Sequence, residues 1–414
     1  MCPASGDDAT RRLADATARR SYSKLVAYLA VHTRDVAAAE DALSEAFAAA
    51  LSNWPANGCP DNPEAWLLTV ARRKAIDTAR RQVRGQEISR ELQLLNDLDE
   101  GEDMEIPDRR LGLMFACAHP AIDEGTRAPL MLQVVLGFNA ATIASAFLIA
   151  PGAMGQRLVR AKNKLRQAGI PFQVPDRRQL PERLEAVLDA VYAAYSEGWA
   201  DATGTDAARR DLADEAIFLG SLVGELLPDE PEAHGLLALM LHAEARRSAR
   251  RNNQGDYVPL ASQDPDQWDR AMIEQAEALL ERASTLGRIG RYQLEAAIQS
   301  AHVHRVRSGT DNWPEVAQLY GALSELTGSP VVVVNQALAM AHTEGPEAAL
   351  ERLDGTGVAD RLSEYQPYWA TRADLLARCG NVQEARDAYE VAIGLAADAA
   401  VRRFLRARQS ALTA

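Results

Sequence analysis

The sequence predicts an all-α protein, and three observations support this. Alanine and leucine dominate, whereas runs of β-branched residues are scarce, so helical propensity is high throughout. Apolar residues recur at helical spacing in segments separated by Pro, Gly and Asn. The one strand-like run, VVVV at residues 331–334, follows Ser-Pro and fits the start of a helix just as well. We predict two small helical domains followed by a helical-repeat domain.

Length and charge divide the chain into two parts. Its 414 residues are too many for one core of ordinary size. Residues 1–170 hold about 21 basic and about 21 acidic side chains, so the net charge of -13 comes from residues 171–414. Residues 91–108 alone carry about eight carboxylates and no Lys or Arg, which leaves the segments beside them net basic. Nucleic-acid binding is therefore expected of the first part only.

Cysteine usage and hydropathy exclude several classes of protein. Cys2, Cys59, Cys117 and Cys379 are scattered and form no CxxC pair, so neither a disulfide framework nor a zinc site is predicted. Cys117 and His119 form a lone CxH, which we interpret as core and loop rather than as metal ligands. With no apolar run of 18 residues and no leader pattern, we expect a soluble, cytoplasmic protein without a membrane partner.

Residues 35–84 predict two helices of opposite charge. Residues 35–54 (DVAAAEDALSEAFAAALSNW) form an amphipathic helix with an acidic outer face. The outer residues of this helix are Glu40, Asp41, Ser44 and Glu45. After a loop rich in Pro, Gly and Asn, Asn62 and Pro63 are predicted as the N-cap and first residue of the second helix. The basic residues of the second helix are Arg72, Arg73, Lys74, Arg80, Arg81 and Arg84.

The two charged faces allow two interpretations. Arginine pairs bidentately with phosphate, and so dense a cluster repels itself unless an anion neutralises it. The acidic and basic faces together suit a protein that bridges a basic protein and a nucleic acid. The simpler interpretation is that both faces are only solvated.

A second helical unit over residues 109–167 has the layout of a helix-turn-helix. Residues 141–147 are predicted as a short apolar helix, residues 148–151 as a turn and residues 152–167 as a second helix. The second helix has no acidic residue, and its basic residues are Arg157, Arg160, Lys162, Lys164 and Arg166. Small or amide-bearing residues at its start allow close approach to a groove and let Gln156 contact an adenine edge. These residues are Gly152, Ala153, Gly155 and Gln156.

The remaining segments predict a tether and a set of helical hairpins. Residues 91–108 are too acidic to fold alone and are predicted as a tether. The proline-punctuated segment GIPFQVPD, at residues 169–176, marks a domain boundary. Beyond it, residues 368–396 have the spacing of a tetratricopeptide repeat, and less regular hairpins are expected to stack with it. The residues that give this spacing are Trp369, Ala373, Leu376, Gly380, Ala385, Tyr389 and Ala392.

These motifs together resemble a known family. AEDALSEAF, WLLTVARRKAIDTARR, an acidic tether and LGFNAATIASAFLIAPGAMGQRLVRAKNKLR closely resemble a bacterial RNA polymerase sigma factor of the extracytoplasmic-function type. The resemblance is strongest to the subgroup with a tetratricopeptide-like C-terminal extension. It implies four parts: a σ2-like domain at residues 11–90, a linker at 91–108, a σ4-like helix-turn-helix domain at 109–170 and a helical-repeat domain at 171–414.

The resemblance also implies partners and contact residues. The partners are the β′ and β subunits of core RNA polymerase and promoter DNA. Residues implied to bind polymerase are Glu40, Asp41, Ser44 and Glu45; many members carry Gln in place of Ser44. Residues implied to recognise and open the −10 element are Asn53, Trp54, Asn57, Arg72, Arg73, Lys74, Arg80 and Arg81. Residues implied to contact the −35 element are Gly152, Ala153, Gln156, Arg157 and Arg160; Gly155 replaces a frequent basic residue.

No motif predicts an enzyme or a cofactor. A phosphate-cradling glycine loop, a nucleophile elbow and an HExxH helix are all missing from the sequence. A polar set near Tyr292 and Tyr192 fits either a ligand site in the repeat domain or hydrogen bonding between helices. We hypothesise a sigma factor whose repeat domain regulates or supports it. The alternative is a DNA-binding regulator or scaffold that acts without core polymerase, with the repeat domain taking a protein partner.

Overall fold

The computed structural model describes residues 22, 25, 26, 28–30, 33, 36–60, 62–82, 108–167, 175–200, 207–355 and 357–412. Within these ranges the protein has eighteen α-helices and no β-strand, which confirms the predicted all-α class. The chain divides into two compact units, Met1–Glu197 and Gly198–Ala414. No helix in the described ranges is both long enough and apolar enough to cross a membrane.

The first helical group consists of α1 (Val36–Asn57) and α2 (Pro63–Gln82), which pack against each other. Small and aliphatic residues of α1 such as Leu43 are fully buried, as is Leu67 of α2. The predicted cap of α2 is present, because the Asn62 side chain accepts a hydrogen bond from the Ala65 amide at 3.1 Å. Helix α1 continues through Pro55, three residues beyond its predicted end.

The second helical group consists of α3 (Arg109–Cys117), α4 (Glu124–Val134), α5 (Ala140–Ala146) and α6 (Pro151–Gln167). The side chains of Asp108 and Asn139 cap α3 and α5. Between α5 and α6 the chain turns through Leu148, whose φ of 52° is left-handed. Met154 and Leu158 of α6 are buried, and α6 packs on α4 and α5. Asp108 is the one residue of the predicted tether that lies within the described ranges.

Helix α7 (Leu184–Ala200) begins after two turns of 3₁₀-helix. Arg183, just before it, is buried and donates from Nη1 to the Phe115 carbonyl at 3.0 Å, within the first compact unit. The two compact units divide between Glu197 and Gly198. The proline-punctuated segment predicts a domain boundary earlier in the chain, between residues 170 and 171.

The second compact unit contains consecutive helices, most of which pack on their neighbours in the chain. They are α8 (Ala207–Leu226), α9 (Pro231–Glu244), α10 (Arg270–Thr285), α11 (Arg291–Ser308), α12 (Trp313–Thr327), α13 (Pro330–Thr343), α14 (Pro346–Asp354), α15 (Val358–Arg361), α16 (Gln366–Arg378), α17 (Val382–Leu395) and α18 (Ala399–Ser410). The VVVV run lies in α13 and is helical.

The hairpin predicted at residues 368–396 is formed by α16 and α17. Gly380 makes the turn between them with φ of 84°, a conformation that disfavours residues with a side chain. The other predicted positions of the repeat pack together in one core. Those that are fully buried in it are Ala373, Leu376, Ala385, Tyr389 and Ala392.

Candidate nucleic-acid and protein interface

The acidic face of α1 is formed by Glu40, Asp41, Ser44 and Glu45. The last three residues follow Glu40 by one, four and five positions, which places all four on one side of the helix. Asp41, Ser44 and Glu45 are exposed, whereas Glu40 is only partly exposed. The Tyr22 hydroxyl hydrogen-bonds the Ser44 side chain. Burial raises the pKa of Tyr22, with a smaller contribution from the nearby carboxylates. The predicted polymerase-binding residues are thus brought together, and three of them, Glu40, Ser44 and Glu45, have side-chain partners.

Glu40 pairs with Lys162 of α6. Lys162 Nζ lies 2.7 Å from Glu40 Oε2 and 3.0 Å from Oε1, and about one fifth of each side chain is exposed. From the sequence, Lys162 is predicted only as one of the basic residues of α6, and its contact with Glu40 is not predicted. No spacing rule could have found it, because 122 positions separate the two residues.

The acidic face of α1 also adjoins the basic face of α2. Lys74 Nζ lies 3.1 Å from Glu45 Oε2, and about half of each side chain is exposed. An exposed ion pair of this kind contributes about 0–1 kcal/mol and is screened by salt. The pair therefore leaves both residues available to other partners.

The basic face of α2 consists of residues on its outer side. Arg73 and Lys74 are exposed, and Arg72 is partly buried. Arg80 and Arg81 belong to the last turns of the helix, but their side chains lie outside the described residues, and Arg84 lies outside them altogether.

The end of α1 differs from the sequence-based expectation. Asn57 Nδ2 donates to Asn53 Oδ1 at 3.2 Å, and both side chains are exposed on the last turns of the helix. Trp54, in contrast, is 1% exposed and packs edge-on against Trp66, with ring centroids 5.5 Å apart. Because its ring is covered by protein, Trp54 offers no surface to a base, which corrects its implied place beside a flipped nucleotide.

Helix α6 presents the predicted −35 residues on one exposed surface. Burial of Met154 and Leu158 on its inner side turns the other face outward. The exposed predicted residues are Gly152, Ala153, Gln156, Arg157 and Arg160. A shallow groove of about 560 Å³ runs along Gly152, Gly155, Gln156, Val159 and Arg160. A side chain added at either glycine would meet no atom within 4 Å, so the helix surface is open to a partner.

The lone CxH motif has a local structural explanation. Cys117 is fully buried, and burial raises the pKa of its thiol. His119 Nδ1 accepts a hydrogen bond from the Ala121 amide at 3.1 Å, which closes the turn after α3. Within the described ranges, no group of three or more His, Cys, Asp or Glu side chains could hold a metal ion.

Two of the polar residues considered for a ligand site in the C-terminal part, Glu295 and Gln299, have side-chain partners. Arg246 Nη2 donates to Gln299 Oε1 at 2.5 Å, and Arg291 pairs with Glu295 at 2.8 Å. Tyr292 is buried, whereas Tyr192 belongs to the other compact unit. Glu295 and Gln299 of α11 are thus engaged by arginines of the protein itself.

The helix pair with the acidic and basic faces lies in a segment that matches a family of transcription-initiation factors. The sigma-70 region 2 model matches residues 18–85, which include α1 and α2, and a family of unknown function (DUF6596) matches residues 183–284. Region 2 belongs to a non-enzymatic family of transcription-initiation factors.

A relative of similar length matches nearly the whole chain. "Uncharacterized protein R00370" of Rhizobium meliloti (strain 1021) is 40% identical over 390 residues, covering 92% of this chain and 91% of the relative. The chain belongs to the same family as R00370, and its region 2 supports membership of the sigma-factor family. No solved structure matches it.

Proposed function

We propose that the protein is a promoter-specificity factor of the extracytoplasmic-function type that directs core RNA polymerase in the cytoplasm. The observation that carries this proposal is the match of region 2 to the helix pair with adjoining acidic and basic faces. The acidic face of α1 binds the polymerase β′ subunit through Asp41, Ser44, Glu45 and, once released from Lys162, Glu40. A carboxylate-rich face suits a basic partner because opposite charges steer association.

Promoter DNA is contacted by two separate helices. Arg72, Arg73 and Lys74 of α2, followed by Arg80 and Arg81, bind the opened strand at the −10 element, with Asn53 and Asn57 at the adjacent end of α1. Extrusion of a base costs a few kcal/mol of unstacking, which phosphate contacts offset. The open start of α6 contacts the −35 element through Gln156, Arg157 and Arg160, while Gly152 and Ala153 allow close approach.

The C-terminal unit is proposed to be a helical-repeat domain of tetratricopeptide type. The α16–α17 hairpin, with its buried small residues and glycine turn, supports this. Its acidic composition makes a protein partner better suited to it than DNA. Its role in transcription is to regulate or support the N-terminal unit.

Core-dependent run-off transcription tests the proposed function. Purified protein with core polymerase is expected to initiate at specific native promoters, whereas core alone does not. A protein that binds duplex DNA by itself and gives no specific initiation with core would instead be a regulator that acts without polymerase. Replacement of Arg157 and Arg160 by alanine tests the role of α6. It should reduce initiation without reducing the binding of core polymerase.

A further inference from the structure

The contact between Glu40 and Lys162 is more shielded than the exposed Glu45–Lys74 pair. Both carboxylate oxygens of Glu40 accept from Lys162 Nζ, at 3.0 and 2.7 Å. Side-chain exposures are 19% and 20% for this pair, against 45% and 56% for the other. A charge-assisted hydrogen bond in a shielded position is stronger than one in open water.

The contact joins the two helical groups of the first compact unit. Glu40 lies on α1 of the first group and Lys162 on α6 of the second, and α6 is anchored by its apolar side to α4 and α5 of its own group. Of the described helices in the two groups, α1 and α6 make the most extensive contact across them. The ion pair therefore lies where the two groups meet.

The contact uses a residue that the proposed function requires elsewhere. Glu40 belongs to the acidic face proposed for polymerase, and α6 is the helix proposed for the −35 element. With both of its oxygens engaged by Lys162, the Glu40 carboxylate is not open to a cation of the polymerase. Polymerase binding and the Glu40–Lys162 contact therefore compete.

We infer that the Glu40–Lys162 contact is autoinhibitory and keeps the two helical groups of the free protein together. Core polymerase displaces Lys162 from Glu40, and this displacement frees α6 to reach DNA at a distance from α2. The inference rests on the proposed function. Because only the open form binds core, the apparent affinity for core equals the intrinsic affinity multiplied by the fraction of protein that is open.

Small-angle scattering of the free, full-length protein tests the contact without polymerase. Lys162→Glu places two carboxylates together and should increase the radius of gyration. The double variant Glu40→Lys with Lys162→Glu restores an ion pair of reversed sign and should return the radius to the wild-type value. Lys164→Glu makes the same change of charge at an exposed position of α6 and serves as the control. A Lys162→Glu protein with wild-type dimensions would overturn the inference.

Core binding in the absence of DNA tests the competition. Lys162→Glu should bind core polymerase about three- to tenfold more tightly than Lys164→Glu, where tenfold corresponds to about 1.4 kcal/mol. Equal or weaker binding by Lys162→Glu would refute autoinhibition while leaving the sigma assignment intact. If wild-type and both variants all fail to bind core, the proposed function itself fails, and the competition fails with it; the scattering result remains a separate measure of the contact.

Discussion

At Trp54, burial assigns a large aromatic side chain to the core rather than to a base. The ring lies against Trp66 in the angle between α1 and α2. Replacement by Ala should destabilise the first helical group by about 3–5 kcal/mol, since it removes a buried aromatic ring and leaves a cavity. Hydrogen exchange of the α1 and α2 amides measures this loss, with exposed Asn53→Ala as the control. A variant that keeps wild-type protection and loses only promoter opening would contradict this role.

His302 of α11 gives the second compact unit a predictable sensitivity to acid. Burial, with smaller contributions from Arg305 and Arg246, lowers its pKa to about 3. A histidine has a pKa of about 6.5 in the unfolded chain. The unfolded form therefore binds the proton first, and stability present above pH 6.5 is lost as the pH falls towards 3.

The expected loss from His302 is about 2 kcal/mol between neutral pH and pH 5. Urea unfolding followed by tryptophan fluorescence at the two pH values measures it, because Trp313 packs edge-on against this ring. His302→Gln should reduce the pH dependence. His304→Gln, at an exposed position of the same helix, should leave it unchanged. Equal pH dependence in the two variants would show that His302 is not the responsible group.

At the scale of the helix, the basic face of α2 should contribute to the salt dependence of promoter binding. Each phosphate contact adds about 0.9 to the logarithmic salt slope on duplex DNA and about 0.7 on a single strand. Arg73→Ala should therefore flatten the slope of holoenzyme binding by about 0.7–0.9. Arg178→Ala removes an exposed arginine outside α2 and should leave the slope unchanged. If Arg73→Ala also leaves it unchanged, Arg73 lies on a merely solvated face.

Local signals predicted most elements but not all of their ends. Periodicity located α1, α2 and the α5–α6 pair, and Asn62 caps α2 as its side chain predicts. Helix α1 nevertheless continues through Pro55, although proline removes a backbone hydrogen bond there. The buried packing of Trp54 on Trp66 accounts for the difference, since tertiary burial outweighs local propensity.

Charge patterns predicted which helices carry a site but not how their side chains are engaged. The described charged residues that are exposed, as the patterns predict, are Asp41 and Glu45 of α1, Arg73 and Lys74 of α2, and Arg157 and Arg160 of α6. Whether Glu40 meets water or Lys162 depends on how helices far apart in sequence pack, and no local period encodes that packing. The same reason explains why Trp54, which the family resemblance implied beside a flipped base, is instead part of the core.

At the scale of the whole molecule, the proposed closing contact lies entirely within the first compact unit. Glu40, Lys162 and buried Cys117 nearby all belong to Met1–Glu197. The C-terminal unit is therefore not required to form the contact. Two kinds of regulation can therefore be measured separately. One is closure of the N-terminal helices on each other, and the other is any further effect of the acidic helical-repeat domain.

Truncation after Glu197, combined with Lys162→Glu, tests this separation. In each of the two chains, truncated and full-length, Lys162→Glu is compared with the same chain without the substitution. The resulting increase in affinity for core should agree between the two chains within about twofold, because the truncated chain retains the ion pair and its neighbouring helices. Lys164→Glu in both backgrounds controls for charge. An increase confined to the full-length chain would show that the C-terminal unit maintains closure. Run-off transcription by the same truncated protein then determines whether this unit restrains initiation or is required for it, since closure has been measured independently.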